Sequence, residues 1–267
     1  EVMLKARWNA REHAPDTEVP TTCRVLAVAS GKGGVGKSSV TVNLAAAVAA
    51  MGFTVGVLDA DIWGFSVPRL LGIDEPLDAR KVEGSDRPKI IPNELTVGRG
   101  LTAGKLKVVS TGFLVGEDTA LMWRGLMLAK AVEQFLRDVQ WGDLDYLFID
   151  MPPGTGDVQM GLARMLLRTD LLIVTTPALA AQKVAARAAD MARRSFLRVC
   201  GVIENMSGFT CDHGQSYSLF GSGGGATLAA QVGVPLLGRI PIEAEVAAGG
   251  DSGEPVALKG TGPAAEE

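Results

Sequence analysis

Apolar and polar positions along the chain alternate between short apolar runs, typical of strands, and longer segments typical of helices. The run RVLAVAS at Arg24–Ser30 is rich in valine and alanine, which indicates a buried strand. The segment Ser38–Ala50 is rich in alanine and valine, and Asn43 is its only strongly polar side chain. This pattern indicates a buried helix that Gly52 ends. The whole pattern predicts strands at Arg24–Ser30, Thr54–Asp59, Lys105–Thr111, Asp145–Met151, Leu171–Thr176, Val199–Glu204 and Leu236–Ile240. It predicts helices at Lys37–Ala50, Leu121–Val139, Val158–Arg168, Ala180–Phe196 and Gly223–Gln231.

The order of these elements predicts the fold class. Alternating strands and helices are typical of a doubly wound α/β domain, a mainly parallel sheet with helices on both faces. We assign residues 23–267 to this domain. Residues 1–22 are polar and contain Pro15 and Pro20, so we expect an N-terminal arm or linker there. Residues 72–104 are rich in proline, glycine and charge, which favours an insertion or a hairpin over a core element.

Composition and charge narrow the classes of partner. The 267 residues carry a net charge of −4, which does not indicate a nucleic-acid partner. Apolar runs such as LAAAVAAMGF are too short to span a bilayer, so no membrane partner is expected. Three cysteines without disulfide-like spacing favour a reducing, cytoplasmic location. The chain starts at Glu1 and stops at GPAAEE, which resembles the first turn of a helix, so we expect both ends to be trimmed from a longer protein.

The loop between the first predicted strand and helix carries the most specific motif. Its residues Gly31, Gly36, Lys37 and Ser38 match the phosphate-binding pattern G-x-x-x-x-G-K-[ST]. Glycines let backbone N–H groups surround an anion, and the helix that follows directs its N-terminal N–H groups at the same phosphates. Lys37 is expected to reach the β- and γ-phosphates, and the Ser38 hydroxyl to hold Mg²⁺. We predict that the nucleotide is bound by Gly31, Lys32, Gly33, Gly34, Val35, Gly36, Lys37, Ser38 and Ser39.

Acidic residues follow two further predicted strands. Asp59 and Asp61 lie in VGVLDADIWG, and Asp150 lies in YLFIDMPPG. These positions are at carboxyl ends of strands, where an open parallel sheet faces its ligand. A carboxylate beside a phosphate-binding loop holds a water of Mg²⁺ or orients the attacking water. One aspartate alone is more often an ordinary strand-end or capping residue, but two such strand ends together with the loop favour a site.

Two later stretches carry weaker signals. Asn205 ends a predicted strand in VIENMSGF, where it either pairs with an adenine edge or forms a turn. Cys211 and His213 lie two residues apart in the polar stretch FTCDHGQSYS. They either bind a metal or a cluster, or they are ordinary loop residues.

Between Arg24 and Gly253 the chain resembles one known family, and eight stretches carry the resemblance. They are GKGGVGKSSVTVNLA, VLDADIWGFSVPRLLG, MWRGLMLAKAVEQFL, WGDLDYLFIDMPPGTGDVQ, IVTTP, ENMSGFTC, FGSGGG and LGRIPI. They resemble the Mrp/ApbC-type iron–sulfur cluster carriers within the MinD, ParA and NifH class of P-loop ATPases. The resemblance implies a doubly wound P-loop domain that forms a nucleotide-sandwich homodimer, hydrolyses ATP with Mg²⁺ and delivers clusters to apoprotein recipients.

The resemblance also implies roles for individual residues. Lys32 is the extra lysine of this class, which reaches the phosphates bound by the partner subunit and so makes a composite site. Lys37 is the P-loop lysine, and Asp61 matches the acid that orients the attacking water. These three would be the catalytic residues. Asn205 matches the adenine contact, and the implied Mg²⁺ residues are Ser38, Asp61 and Asp150.

One departure from the family pattern concerns the cluster. Members carry C-P-x-C-G where this chain has CDHG, so the second cysteine is missing. Two cysteine pairs in a dimer would supply the thiolates of a [4Fe–4S] cluster, whereas here a dimer offers two copies of Cys211. His213 would have to complete a mixed ligand set. The resemblance therefore implies an iron–sulfur cluster at Cys211, although each chain lacks the second cysteine ligand of the family motif.

Three functions follow as hypotheses. The first is an ATPase that binds iron–sulfur clusters and transfers them to apoproteins. The second is a MinD- or ParA-like positioning ATPase, which needs a basic amphipathic helix or a basic face, whereas this chain is acidic and ends in GEPVALKGTGPAAEE. The third is a nucleotide-switched scaffold without a cluster, which the missing cysteine favours.

Overall fold

The computed structural model describes residues 17–61, 64–81, 88–98, 103–113, 126–154, 156–166 and 168–267. Its strands are β1 (Arg24–Ser30), β2 (Thr54–Asp59), β3 (Asp78–Arg80), β4 (Lys89–Ile91), β5 (Asn93–Val97), β6 (Gly104–Ser110), β7 (Tyr146–Asp150), β8 (Thr169–Thr175), β9 (Arg198–Thr210), β10 (Ser216–Tyr217) and β11 (Leu236–Ile242). Its helices are α1 (Lys37–Ala50), α2 (Val67–Leu70), α3 (Leu126–Asp138), α4 (Gly156–Met165), α5 (Leu179–Arg194), α6 (Gly224–Val232), α7 (Ala244–Ser252) and α8 (Pro263–Glu266).

The main sheet brings three functional strand ends side by side. In the described residues it has nine strands, in the order β10-β9-β8-β1-β7-β2-β6-β5, with β11 paired to β9. Strands β8, β1, β7, β2 and β6 run parallel, so their carboxyl ends share one edge. Asp59 lies in register with Asp150, and Asp150 with Val28 of β1. Ligands of open parallel sheets bind outside this edge, which fixes where the site is expected.

Helices cover both faces of the sheet, as the alternating pattern predicts. Successive side chains of a strand point to opposite faces. Ala27 and Ala29 accordingly join one buried cluster, with residues of α3, α4, α5 and α6, while Val28 joins a second cluster with residues of α1. Both sides of the central strands are therefore buried, which explains why β1 is apolar throughout rather than alternating. The predicted doubly wound α/β class is confirmed.

The predicted elements are present, and most bounds differ by three residues or fewer. The helix predicted at Leu121–Val139 is found as α3, and residues 121–125 lie outside the described residues. The prediction for β9 is wrong at its end, because the strand continues past Glu204 to Thr210. Its pairing with β8 stops at Glu204, but β11 pairs with it as far as Phe209 and β10 pairs with its last residues. Asn205 therefore lies within a strand and not at its end.

The described parts of residues 72–104 contain an antiparallel strand pair, in agreement with the predicted insertion or hairpin, and also contribute one strand to the main sheet. β3 and β4 pair as an antiparallel two-stranded sheet. β5 pairs antiparallel with β6 at the edge of the main sheet, which the composition of this segment did not predict. The pairing places Leu95 opposite Leu106, so an apolar cross-strand contact holds the edge strand in register.

The predicted N-terminal arm is described only from residue 17 onward. Residues 1–16 of that prediction lie outside the described residues. Val19 is buried in the larger core cluster, and the Glu18 N–H group donates to the Leu136 carbonyl at 2.8 Å. Residues 17–22 therefore pack on the domain.

The C-terminal region contains helices that the sequence pattern did not predict. α7 and a 3-10 turn at Val256–Leu258 precede α8, which is the short helical turn expected from GPAAEE. Asn43, the polar residue within α1, accepts a hydrogen bond from the Ala257 N–H group at 2.9 Å. A polar side chain within a largely buried helix thus holds the C-terminal segment in place.

Candidate functional site

The loop between β1 and α1 depends on glycine at the position before the helix. Gly34 and Gly36 have φ values of +79° and +78°, which side chains other than glycine rarely adopt. A Cβ atom at Gly36 would overlap with the side-chain amide of Asn205. That amide donates a hydrogen bond to the Val35 carbonyl at 2.9 Å. The loop is therefore held from β9, and the first helical N–H groups of α1 face the carboxyl edge of the sheet.

A buried lysine–aspartate pair lies directly under this loop. Lys37 Nζ is 2.6 Å from Asp150 Oδ1, and both side chains are buried. Asp150 also accepts hydrogen bonds from Ser38 Oγ at 2.5 Å and from Thr41 Oγ1 at 3.1 Å. A buried ion pair is tolerated when further hydrogen bonds satisfy its remaining lone pairs, and these hydroxyls do so for Asp150. The predicted residues Lys37, Ser38 and Asp150 thus come together within hydrogen-bond distance.

Two further acids lie close to this pair. Asp61 Oδ2 is 4.0 Å from Lys37 Nζ. Asp59 is fully buried, and burial together with the Asp150 carboxylate raises the pKa of Asp59 to about 7. Hydrogen bonds from backbone N–H groups and the charge of Lys37 act in the opposite direction on the pKa of Asp59. One lysine therefore faces three acidic side chains, and a bound cation would favour their ionised forms.

Two adjoining clefts open above the loop. The first, of about 490 Å³, is lined by Lys32, Lys37, Ser38 and Asp61 among others. The second, of about 420 Å³, is lined by Asn205, Met206 and residues 241–243 and 246–251 in part. Gly36, Ser39, Ser66 and Leu70 line both. A single ligand with an anionic end and a flat end would fill both clefts, and a nucleotide has this shape.

Lys32 lies in the same loop but in a different environment. It is exposed at the rim of the first cleft, whereas Lys37 is 6% exposed. The Ser30 hydroxyl donates to the backbone carbonyl of Lys32 at 3.0 Å, which fixes the main chain while the ammonium group stays outside. The two lysines of the loop are therefore not equivalent, because Lys37 forms an ion pair with Asp150 and Lys32 faces outward.

The polar loop predicted around Cys211 is the turn of a β-hairpin. β9 and β10 form the hairpin, and Cys211 closes its turn with bonds from its N–H group to the Gln215 carbonyl and from the Gly214 N–H group to its own carbonyl. The pairing is antiparallel and is reinforced by stacking of Phe209 on Tyr217. In the described part of the chain, no three His, Cys, Asp or Glu side chains form a metal-binding group. Cys211 and His213 of one subunit therefore do not make a complete metal site.

The three cysteines differ in their environment. Burial, followed by the charge of Asp145, raises the pKa of the Cys23 thiol to about 12. Burial, followed by the charge of Asp170, also raises the pKa of Cys200, whose Sγ donates to the Leu171 carbonyl at 3.3 Å. Both remain protonated thiols at neutral pH and are poor iron ligands. Cys211, in its exposed turn, is the cysteine best placed for ligand chemistry.

Several site residues were missed by the sequence analysis. Thr41 lies one helical turn after Lys37 on α1, so its spacing could have indicated its position beside Asp150. Ser66 lines both clefts but had no motif to mark it. Of the lining between residues 241 and 251, Val246, Ala247, Gly250 and Asp251 belong to the unpredicted α7. Those residues meet the site only through tertiary packing, for which no local signal exists.

Three features define a P-loop NTPase. They are a glycine loop that joins a strand to a helix, a lysine paired with an aspartate at a strand end, and clefts that fit a nucleotide. The chain matches, over residues 21–267, the model of the ParA family described as NUBPL iron-transfer P-loop NTPase. The chain belongs to this family.

Comparisons with individual proteins agree with this assignment. The iron–sulfur cluster carrier protein of Mycobacterium tuberculosis is 46% identical over 266 residues, which cover 97% of this chain and 66% of that protein. A nucleotide-binding protein from Archaeoglobus fulgidus, solved in complex with ADP, is similar with a TM-score of 0.71 and 32% identity, covering 97% of this chain and 95% of that one. MinD of Pyrococcus horikoshii with Mg-ADP has a TM-score of 0.64 at 19% identity, covering 91% and 92%, and shows the shared fold. Among the described helices, none combines the length and the apolar character that a bilayer crossing requires.

Proposed function

We propose that this chain binds and hydrolyses ATP with Mg²⁺ and, as a homodimer, carries iron–sulfur clusters and transfers them to apoproteins. The observation that carries the nucleotide part is the contact of Lys37 and Ser38 with Asp150 under the glycine loop. The cargo is suggested by the name of the M. tuberculosis relative, of which the chain spans 66%. Activity, cargo and recipients of the whole protein are therefore part of the proposal.

The nucleotide site assigns one role to each polar group. Lys37 would turn from Asp150 to the β- and γ-phosphates, since its ammonium group lies at the floor of the cleft. Ser38 Oγ and Asp150, which are hydrogen-bonded to each other, supply hard oxygen donors of the kind that Mg²⁺ prefers. Bound Mg²⁺ would neutralise phosphate charge. Asp61 lies within the same cleft and would contact Mg²⁺ through water and orient the attacking water. Asn205, which lines the second cleft, would contact adenine.

The homodimer is proposed because Lys32 has no role within its own site. Its outward position at the rim suits a cation that acts on phosphates held by a second copy. Such a cation stabilises charge on the transferred phosphoryl group as an arginine finger does. A site completed in this way is inactive in the monomer, so hydrolysis would depend on dimerisation.

The cluster is proposed to bind between two copies of Cys211. Tyr217, Leu219 and Phe220, just beyond the turn, are 43%, 59% and 48% exposed, an apolar surface suited to burial between subunits. Two thiolates leave the ligand set incomplete, so His213 or an added thiol would fill the remaining positions and the cluster would be labile. The proposal includes a reducing cytoplasm, in which such a thiol stays available.

A second candidate is a nucleotide-switched scaffold that carries no cluster. It is favoured by one observation, the single cysteine at the position where the family motif has two. The two candidates share the nucleotide site and differ only in iron binding, so one variant separates them.

Cys211→Ala is expected to abolish iron binding while leaving ATP hydrolysis intact, because the hairpin turn is separate from both clefts. The parent, reconstituted anaerobically with iron and sulfide, should bind one cluster per dimer, read by visible absorbance and iron count. Cys200→Ala is the matched control, because it removes a half-buried thiol from β9, the strand that leads into the turn, and should retain the cluster. Full cluster content in Cys211→Ala would contradict the assignment of the cluster to Cys211, and a parent that takes up no iron would leave the scaffold as the better account.

A further inference from the structure

The buried carboxylate of Asp59 has no contact role in the nucleotide site proposed above, yet it collects four hydrogen bonds. Its Oδ1 accepts from the Asp61 N–H group at 3.1 Å. Its Oδ2 accepts from the N–H groups of Ser66 and Val67 at 3.2 and 3.3 Å, and from the Ser110 hydroxyl at 3.1 Å. Of the segment 61–67, in which the structure describes residues 61 and 64–67, the two oxygens therefore hold Asp61 at one end and Ser66 and Val67 near the other.

The end of β6 supports this arrangement from behind. The Ser110 hydroxyl that donates to Asp59 also accepts from the Gly112 N–H group at 3.1 Å. A Cβ atom at Gly112 would overlap with the Phe65 ring, so the ring packs directly on the backbone there. Asp59, Ser110 and the Phe65–Gly112 contact together fix the segment against the edge of the sheet.

The segment held in this way lines the nucleotide clefts. Asp61 and Gly64 line the first cleft, and Ser66 lines both. We propose that Asp59 is a positioning residue, which sets Asp61 and Ser66 at the phosphate end of the site, with Ser110 as its support. The inference rests on the proposed hydrolysis, in which Asp61 orients water. Asp59 itself is fully buried and lines neither cleft, so it acts through the segment it holds.

Asp59→Asn tests the role with little change in volume. A carboxylate offers acceptors on both oxygens, whereas an amide offers one acceptor oxygen and one donor nitrogen. The amide oxygen should keep the side with three donors, which is the side of Ser66, Val67 and Ser110. The amide nitrogen would then face the Asp61 N–H group, donor against donor, and release the Asp61 end selectively.

The expected result has a structural and a kinetic part. Hydrogen exchange of the Asp61 amide, followed by NMR, should become at least about tenfold faster in Asp59→Asn, because its acceptor is lost. The rate of ATP hydrolysis should fall about 10- to 100-fold, the usual effect of a misplaced catalytic group, with the dissociation constant for ATP changed less than about threefold.

Ser110→Ala is the milder second variant, which keeps the Asp59 charge and removes one of its donors. It should lower the hydrolysis rate in the same direction by a smaller factor, and it should add little in the Asp59→Asn background. Thr169→Val is the control, since it also removes a buried hydroxyl bond, to the Leu166 carbonyl at 2.8 Å, but at the start of β8. It should leave amide exchange and hydrolysis unchanged.

Two outcomes would overturn the inference. One is an unchanged exchange rate of the Asp61 amide in Asp59→Asn. The other is a parental hydrolysis rate in both Asp59→Asn and Ser110→Ala, which would show that the position of Asp61 does not depend on Asp59. A parent chain that does not hydrolyse ATP would defeat the proposed function instead, and the exchange measurement would still decide whether Asp59 holds Asp61.

Discussion

Replacing Lys37 by alanine is expected to abolish ATP binding, with a loss of affinity of at least about 100-fold. The phosphates lose their main cation, and hydrogen bonds to charged groups contribute about 1.5–3 kcal/mol each. Isothermal titration calorimetry with Mg-ATP measures the loss directly. Binding as tight as that of the parent would show that the loop is wrongly assigned.

The same substitution leaves Asp150 buried without its cation. Breaking a buried ion pair costs about 3–5 kcal/mol of unfolding free energy, although Ser38 and Thr41 still donate to this carboxylate. Binding is therefore measured below the thermal midpoint of the variant. Lys107→Ala is the matched control, because Lys107 is also largely buried and donates to the Trp141 carbonyl at 2.6 Å, away from the clefts. It should bind ATP like the parent.

Lys32→Ala is expected to behave differently, with ATP binding retained and hydrolysis lost. A cation supplied from a partner contributes about 10³–10⁵ to the rate of phosphoryl transfer, and Lys32 is exposed at the rim where such a contribution is possible. Steady-state phosphate release and nucleotide titration measure the two effects. Lys105→Ala removes another exposed lysine, at the opposite edge of the sheet, and should leave both unchanged. Loss of binding in Lys32→Ala would place the lysine within its own site.

Mixed dimers separate action on the partner from action within one subunit. Lys32→Ala and Asp61→Ala should each be inactive alone. Mixed, they should recover about a quarter of the parental rate, because about half of the dimers are mixed and each holds one complete site. No recovery, despite subunit exchange shown by a tagged copy, would contradict the composite site.

The sequence predicted the fold well where signals were local. β1, the glycine loop and α1 have the predicted bounds, because an apolar run and a glycine loop are set by neighbouring residues. The end of β9 was missed because β11, more than 25 residues later, provides the pairing that extends the strand past Glu204. β5 was missed because a charged segment becomes a strand only when the β6 edge is available.

The residues of the candidate site also fall into two groups, those that a local motif marks and those that meet only through tertiary packing. Lys37, Ser38 and Asp150 could be named from motifs, and parallel pairing of β1 with β7 brings them together. The role of Asp59 could not be predicted, because its partners Ser66, Val67 and Ser110 come from two other segments. Cys211 could be singled out among the cysteines from its polar surroundings, but its place in a hairpin turn followed only from the longer β9.

Cluster transfer is the measurement that tests the account most directly. The chain is reconstituted anaerobically, freed of excess iron, and mixed with an apoenzyme whose activity requires an iron–sulfur cluster, in the presence of an iron chelator. The account predicts that the apoenzyme regains activity from the reconstituted parent and from Cys200→Ala, but not from Cys211→Ala. Equal activation by Cys211→Ala, or a parent that holds no iron after reconstitution, would contradict it.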